Sequence, residues 1–306
     1  MMIIAQIILT IFLPLLMIGI IRKLKALFQN RTGPNLFQPY FNLFKLLKKS
    51  QVISQDSSFV FIISPIISLG LVIFLSFLLP WLPFNKSVFE SNIFLVVYLL
   101  ALLRFLTIIS AIDTGSPFSS FSTSKEVTFA VLLEPAVILS FLALAIFYKN
   151  TNLFYIFSSN QTVTLNQIPV FILFAMSLFL TSIVEFSRAP VDDPNTHLEL
   201  TMIHEAMILE NSGLNLAIVE YTYSLKLLLF LFLMSSALAH CLLIWWHLSV
   251  FAMTCLTVFI VFLLLILLSF IEVFTVKLSF NKIPNFIAYA LTFSFLAVFS
   301  AIVNRS

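Results

Sequence analysis

Carboxylates inside or at the ends of long apolar runs are the residues of this sequence best suited to chemistry. Glu134 lies within one run, Glu185 ends another and Glu272 ends a third. Because a charge buried in lipid costs about 2.5–3.5 kcal/mol or more, such side chains should face the interior of a helix bundle. Burial favours the neutral carboxyl, and a set of such groups can pass protons along water, which is the function that we favour. The alternative is that each one only pairs with Arg104, Lys226 or a backbone group.

A polar stretch after the fifth apolar run adds further acids. The sequence predicts a helix over 193–211, from an Asp-Pro start that suits a helix N-terminus to a Ser-Gly stop. Glu199 and Glu210 are 11 residues apart and would share one face of this helix. Their separation along it would be about 16 Å, which is too long for a shared site but fits successive stations of a proton relay.

The remaining polar residues do not indicate a metal or nucleotide site. His204 is followed by Glu, but Ile208 stands where a zinc-protease motif needs His, so we expect His204 and His197 to be solvated. Cys241 and Cys255 lie in apolar runs, and no Cys-x-x-Cys pair exists, so these thiols alone cannot build an iron–sulfur or zinc site. We therefore expect this chain to bind no cofactor or metal and to have no catalytic residue of its own.

The composition is that of a protein whose main solvent is lipid. Of 306 residues, 61% are hydrophobic and 9% are charged, whereas a soluble domain has about 25% charged residues. A soluble fold of this size could not cover its surface with so few charges. The formal net charge of +3 gives no support to nucleic-acid binding.

The elements that must position the carboxylates are transmembrane helices. A span needs about 20 apolar residues, so the sequence predicts an all-α integral membrane protein of about eight transmembrane helices, forming a single transmembrane domain over 1–306. The apolar runs cover 2–21, 60–80, 91–112, 127–148, 168–187, 223–245, 249–271 and 286–304. The first run lacks a basic start and a cleavage site, so we expect a retained helix. His240 and His247 flank two tryptophans and should lie at a membrane interface.

The distribution of Lys and Arg predicts the orientation of the chain. Eleven of them fall in loops on one side and three on the other, which places the long loops in the cytoplasm and both termini outside. The first of these loops, 22–58, contains a second predicted amphipathic helix over 36–49, with Lys45, Lys48 and Lys49 near its end. These lysines suit both the helix dipole and an anionic membrane surface. A plain interfacial helix and a docking site for a partner both remain open.

Two motifs in the inner loops resemble those of the complex I subunit 1 family. Asn30-Arg31-Thr32-Gly33-Pro34-Asn35 resembles the N-R-x-G-P-x signature of that family's first loop. Glu185-Phe186-Ser187-Arg188-Ala189-Pro190-Val191-Asp192 resembles its E-x-x-R-x-P-x-D motif, and 210–213 resembles its next acidic stretch. The eight-span layout matches as well, so the resemblance covers nearly the whole chain. The stretches 113–118 and 196–207 look like the branch found in energy-converting group 4 nickel–iron hydrogenases, of the formate hydrogenlyase subunit 4 and hydrogenase-4 component C type.

The resemblance implies a membrane subunit that anchors a peripheral electron-transfer arm to ion-pumping membrane subunits in a bacterial or archaeal cytoplasmic membrane. The implied partners are hydrogenase-like large and small subunits, an iron–sulfur protein, antiporter-like membrane subunits and lipid. Iron–sulfur clusters and a nickel–iron centre would belong to those partners. The implied proton-path residues are Glu134, Glu185, Glu199, Glu210 and Glu220. The implied residues of the junction with the peripheral arm are Arg31, Pro34, Arg188 and Asp192.

Two other functions stay open at this point. One is a quinone-binding membrane subunit of a respiratory NADH dehydrogenase, with a quinone tunnel near the first and third inner loops. The other is a stand-alone ion-coupled transporter, which would predict an internal repeat with paired broken helices. No clear repeat is present, and five glycines argue weakly against broken helices.

Overall fold

A computed structural model describes residues 2–80, 91–157, 168–192, 202–242 and 250–304. Within these ranges the chain is helical, and β structure is limited to an isolated bridge between Asn92 and Asn152. The helices, in chain order, are α1 (Met2–Phe28), α2 (Gln38–Leu47), α3 (Phe59–Leu78), α4 (Ile93–Asp113), α5 (Pro117–Tyr148), α6 (Leu153–Ile156), α7 (Ile168–Glu185), α8 (His204–Ile208), α9 (Gly213–Leu242), α10 (Val250–Phe274) and α11 (Ile283–Val303).

Among the described residues, 8 helices are long and apolar enough to cross a membrane. They are α1, α3, α4, α5, α7, α9, α10 and α11. The prediction of an all-α membrane protein with about eight transmembrane helices is therefore confirmed. Two helices begin earlier than their apolar runs do: α5 starts at Pro117 rather than at 127, and α9 at Gly213 rather than at 223. Their first turns are too polar for a hydropathy window but still pack against the bundle.

Helix α9 is the centre of the bundle. It packs against α1, α2, α3, α7 and α10, and most of its side chains from Leu225 to Cys241 are buried. A helix that is apolar all round buries every face rather than one stripe. Helices α4, α5 and α11 complete the bundle through contacts with α3 and α7. This arrangement places Lys226, which lies between Leu225 and Leu227, inside the protein.

A proline inside α1 explains how α1 is attached to its neighbours. Pro14 has no N–H and leaves the carbonyl of Thr10, four residues before it, without its helical partner. The Tyr221 hydroxyl of α9 donates to that carbonyl at 2.8 Å, and the Tyr40 hydroxyl of α2 donates to the nearby Phe12 carbonyl. Helices α2 and α9 are thus both hydrogen-bonded to the part of α1 that the proline disturbs.

The short helix α2 confirms the amphipathic helix predicted for the first inner loop. It spans Gln38–Leu47 and has Pro39 in its first turn, where helices tolerate proline. The loop before it passes close to α1: a Cβ placed on Gly19 would lie 2.1 Å from the Leu36 carbonyl oxygen. Glycine is therefore required at this crossing because the backbone of the loop occupies the space of a side chain.

The prediction of a long helix over 193–211 is wrong for the described residues, 202–211. Residues 193–201, including the Asp-Pro start and Glu199, lie outside the described residues, and α8 covers only His204–Ile208. The Ile203 N–H donates to Asp192 Oδ2 at 2.8 Å, and the Met202 carbonyl accepts from Ser122 Oγ at 3.2 Å. These tertiary hydrogen bonds take backbone groups that a continuous helix would pair internally.

We predict that Gly19→Ala destabilises the chain while Gly70→Ala does not. Both glycines lie in membrane-spanning helices, but a Cβ at Gly70 meets nothing within 4 Å, whereas one at Gly19 collides with the backbone at Leu36. Overpacking of this kind costs about 1–3 kcal/mol. The melting temperature of the detergent-solubilised chain should fall for Gly19→Ala and stay or rise for Gly70→Ala. Equal melting temperatures for the two variants would contradict the close crossing.

Candidate functional site

The candidate site is a cluster of ion pairs centred on Arg104 of α4. The residue is 8% exposed, and three carboxylates surround its guanidinium. Its Nη2 contacts Glu185 at the end of α7, and its Nη1 lies 3.3 Å from Glu134 Oε1. Its Nε lies 4.0 Å from Glu126 Oε1. A guanidinium can fork among several oxygens in this way because its donors lie in one fixed plane.

A second cation completes the cluster. The Lys226 ammonium of α9 contacts the other carboxylate oxygen of Glu185, so that Glu185 bridges two cations. The ammonium also lies 6.0 Å from the centroid of the Phe186 ring, within cation–π range. The cluster therefore joins four transmembrane helices, α4, α5, α7 and α9, and holds three carboxylates against two cations. Such charges are tolerated inside a membrane protein only when they pair with one another.

A cavity of about 80 Å³ adjoins the cluster. Since a buried water needs at least about 10–15 Å³ of such volume, the cavity can hold several waters. Arg104, Glu126, Glu185 and Lys226 lie in its wall. The other polar side chains that line it are Ser64, Ser68, Thr107, Ser110, His204, Asn211, Thr222 and Tyr223. Four of the five charged groups of the cluster and several hydroxyls thus line the cavity, together with apolar side chains such as Leu103 and Met207.

Glu134 occupies a different position from the other two acids of the cluster. Its side chain is 46% exposed, against 15% for Glu126 and 6% for Glu185, and it does not line the cavity. Arg104 thus lies between acids that face the cavity and one acid that reaches the outer surface of α5. The cluster connects the interior of the bundle with its side.

His204 forms part of the cavity wall in a neutral state. Its ring stacks on Tyr223, with centroids 5.1 Å apart. Burial, reinforced by the nearby Lys226 ammonium and opposed by Asp192, lowers the pKa of His204 to about 4. An imidazole that is neutral at physiological pH can both donate and accept a hydrogen bond in the cavity.

A separate ion-pair group lies beside this site. Glu272 of α10 pairs with Arg188 through its Oε1 at 2.6 Å and with Lys25 of α1 through its Oε2 at 2.7 Å. The Tyr223 hydroxyl donates to the Phe186 carbonyl at 2.7 Å and hydrogen-bonds the Arg188 guanidinium. Tyr223 therefore borders both the cavity and this second group.

The structure brings together two of the five predicted proton-path residues. Glu134 and Glu185 both contact Arg104, which is also the pairing that the sequence left open as the alternative. Glu210 lies exposed in the turn after α8, and Glu220 is an exposed residue of α9. The shared helix face predicted for Glu199 and Glu210 is wrong, because α8 ends before Glu210.

The four predicted junction residues divide into two pairs. Arg31 and Pro34 are exposed in the turn after α1. Arg188 is engaged with Glu272, and Asp192 is 3% exposed and pairs with Lys277 at 2.7 Å. The second pair therefore fixes its own loop, whereas the first pair presents side chains at the surface.

Several site residues were not identified from the sequence. Lys226 was considered only as a partner for the acids, although a lone cation inside the predicted span 223–245 was a usable signal. The prediction that His204 is solvated is wrong, because its ring packs on Tyr223. His240 was predicted at the lipid interface, but it is 4% exposed and its Nε2 lies 2.9 Å from the Phe157 carbonyl oxygen. His197 and His247 lie outside the described residues.

Among the residues that the structure describes, no group of three or more His, Cys, Asp or Glu side chains could hold a metal ion. Cys241 is buried, with its thiol 3.6 Å from the Ala237 carbonyl oxygen, and Cys255 is exposed.

Comparison with known proteins gives consistent matches. A family model described as NADH dehydrogenase matches residues 1–302. Hydrogenase-4 component C of Escherichia coli (strain K12) is 30% identical over 223 residues, covering 72% of this chain and 70% of that protein. Formate hydrogenlyase subunit 4 of the same organism is 30% identical over 218 residues, covering 71% and 70%.

A solved structure shares the fold. It is that of the membrane-bound sulfane sulfur reductase, an archaeal respiratory membrane complex, and one of its chains matches with a TM-score of 0.79 and 18% identity. The match covers 96% of each chain. At this level of identity the likeness concerns the fold alone.

We predict that low pH destabilises the chain less when His204 is replaced by Phe, which keeps the ring against Tyr223. With a pKa of about 4 in the folded chain and about 6.5 unfolded, the unfolded state binds the extra proton first as the pH falls. Stability is therefore lost between these two values, by about 2–3 kcal/mol at pH 4.5. Melting temperatures at pH 7 and 4.5 measure this difference. Parallel losses in both proteins would mean that His204 is not held neutral.

Proposed function

The chain belongs to the NADH dehydrogenase family of complex I subunit 1-like membrane proteins, and on this premise we propose that it is the membrane anchor and proton-coupling subunit of an energy-converting, hydrogenase-type complex. Its relatives are membrane subunits of hydrogenase, formate hydrogenlyase and respiratory complexes. The names of the two Escherichia coli relatives support a hydrogenase-type complex over a respiratory NADH dehydrogenase.

The observation that carries the coupling proposal is the sharing of Arg104 among three carboxylates, two of which line a cavity large enough for several waters. Two cations and three carboxylates leave one negative charge in excess if every acid is ionised. A buried cluster with an excess carboxylate favours holding one proton, because its low-dielectric surroundings disfavour net charge. We assign that proton to the set of acids rather than to one of them.

Arg104 provides a means of moving the proton between the acids. When Glu185 takes up a proton, its attraction for the guanidinium falls, and Arg104 turns toward Glu126 or Glu134. Return of the guanidinium to Glu185 then expels that proton, and the acid that Arg104 has just left, Glu126 or Glu134, becomes the better proton acceptor. In this scheme waters of the cavity supply Glu126 and Glu185, and the half-exposed Glu134 delivers the proton to the side of the bundle, where an antiporter-like subunit would receive it.

The exposed predicted acids have a different place in this proposal. Glu210 and Glu220 do not line the cavity, so they would serve only where a partner subunit or water completes the path. Glu199 keeps its predicted role as a proton-path residue on the resemblance alone.

The exposed turn with Arg31 and Pro34 is the part of the predicted junction that is free to bind the peripheral arm. Arg188 and Asp192 would act there by holding their own loop through Glu272 and Lys277. The partners in this proposal are hydrogenase-like large and small subunits and an iron–sulfur protein, which would carry the iron–sulfur clusters and the nickel–iron centre. Orientation follows the Lys and Arg bias, with the long loops in the cytoplasm and both termini outside.

The experiment that tests this function is purification from the native membrane in a gentle detergent, with identification of co-purifying proteins and analysis for nickel and iron. Nickel, iron and a hydrogenase-like large subunit support the proposal. Iron without nickel, together with NADH-oxidising partners and quinone, would move the chain to a quinone-binding role in a respiratory complex. A chain that purifies alone would favour the stand-alone transporter.

We predict that Glu185→Gln combined with Lys226→Met abolishes coupled proton transport while the complex still assembles. Removing one partner of a buried ion pair costs about 3–5 kcal/mol, so Glu185→Gln alone risks unfolding, whereas the double variant removes one charge of each sign. Transport is measured as proton movement into membrane vesicles during turnover of the complex, and assembly by co-purification.

The matched control is Lys25→Met, which removes one cation from an ion-pair group that does not line the cavity and leaves Glu272 paired with Arg188. This variant should assemble and keep its proton transport. Undiminished transport in the Glu185/Lys226 variant would remove Glu185 from the path.

A further inference from the structure

The free face of helix α2 is a stripe of phenylalanine side chains. Phe37, Phe41 and Phe44 are 52%, 60% and 59% exposed. They recur at steps of four and three residues, so they lie on one side of the helix. Three large apolar side chains exposed side by side form a patch that is uncommon on a surface facing water.

The opposite side of α2 is fixed to the membrane-spanning bundle. Pro39 is buried, the Tyr40 hydroxyl bonds the Phe12 carbonyl, and α2 packs against α1 and α9. The adjoining part of α1 exposes Ile8, Ile11 and Phe12, which are 51%, 49% and 59% exposed. Helix α2 thus packs beside a part of α1 whose exposed apolar side chains, in a membrane span, have lipid as their solvent.

Three lysines lie at the C-terminal end of the stripe. Lys48 follows Phe44 by four residues and shares its face, and Lys45 and Lys49 flank it; all three are exposed. The sequence from 22 to 55 contains no Asp or Glu, so this segment offers positive charge without compensation. Lysine stems lie along apolar surface while their ammonium groups reach the headgroup region.

We propose that α2 binds an anionic phospholipid, whose acyl chains pack on the phenylalanine stripe and whose phosphate is held by Lys45, Lys48 and Lys49. An apolar face that passes into a basic cluster is the combination that binds anionic membrane surfaces. A protein partner is the less suitable occupant. The phenylalanine stripe has no side chain that could hydrogen-bond a partner and no carboxylate that could pair with a partner's basic residue. The proposal is independent of the proton-coupling role.

The test is a titration of the detergent-solubilised chain, or of the complex with which it purifies, with phosphatidylglycerol and with phosphatidylcholine. Bound lipid is counted by native mass spectrometry. The wild type should prefer phosphatidylglycerol. The triple variant Lys45→Gln/Lys48→Gln/Lys49→Gln should lose about fivefold in affinity for each lysine, roughly a hundredfold together. The matched control is Lys149→Gln/Lys282→Gln, two exposed lysines outside α2, and it should keep the preference.

An unchanged affinity of the triple variant for phosphatidylglycerol overturns the proposal, and so does an equal loss in the control. A second measurement does not depend on those variants: a photo-crosslinking benzoylphenylalanine is placed at Phe44 and irradiated in intact membranes. Transfer of phospholipid to the chain supports the proposal. An adduct with another protein overturns it, whatever the titration gives, since α2 would then be a subunit interface.

Discussion

The need to neutralise one guanidinium inside a low-dielectric bundle organises the centre of this protein. Arg104 is nearly inaccessible, and it is stable there only because α5 and α7 each bring carboxylates to it. Glu185 in turn draws Lys226 of the central helix α9 into the same group. The packing of four transmembrane helices and the polar wall of the cavity follow from this one requirement. The cluster that we propose to move protons is therefore also a structural contact between these helices.

The two buried ion-pair groups differ in the balance between their acids and their cations. Around Arg104 three acids outnumber two cations, and two of the acids line the cavity. One acid can therefore gain or lose a proton without leaving a cation unpaired. Around Glu272 two cations hold one carboxylate, so this group has no acid in excess. The first arrangement suits a relay, and the second suits a clamp between α1, α10 and the loop that carries Arg188. Membership of a family of redox-complex membrane subunits gives such a relay a biological setting.

The sequence predicts the spans and part of the site, for different reasons. Length and apolarity decide which segments cross a membrane, and both are local, so all eight helices are predictable. Charged residues in spans are also visible, and Glu134 and Glu185 are found in this way. Arg104 is named from the sequence only as one possible partner. That it joins both acids is not predictable, because Arg104 and Glu185 are 81 residues apart and helices that are apolar all round do not reveal their rotation. The helix predicted over 202–211 does not form as predicted because of tertiary contacts. Asp192 and Ser122 hydrogen-bond the backbone groups of Ile203 and Met202.

The clamp around Glu272 also bears on how the protein is made. Lys25 belongs to the first helix and Arg188 to the segment after α7, but their carboxylate arrives with α10, late in synthesis. Until that helix inserts, both cations lack this partner, and the half-made bundle holds an unmatched positive charge between its helices. Insertion of α10 is thus the step that locks the earlier helices in place.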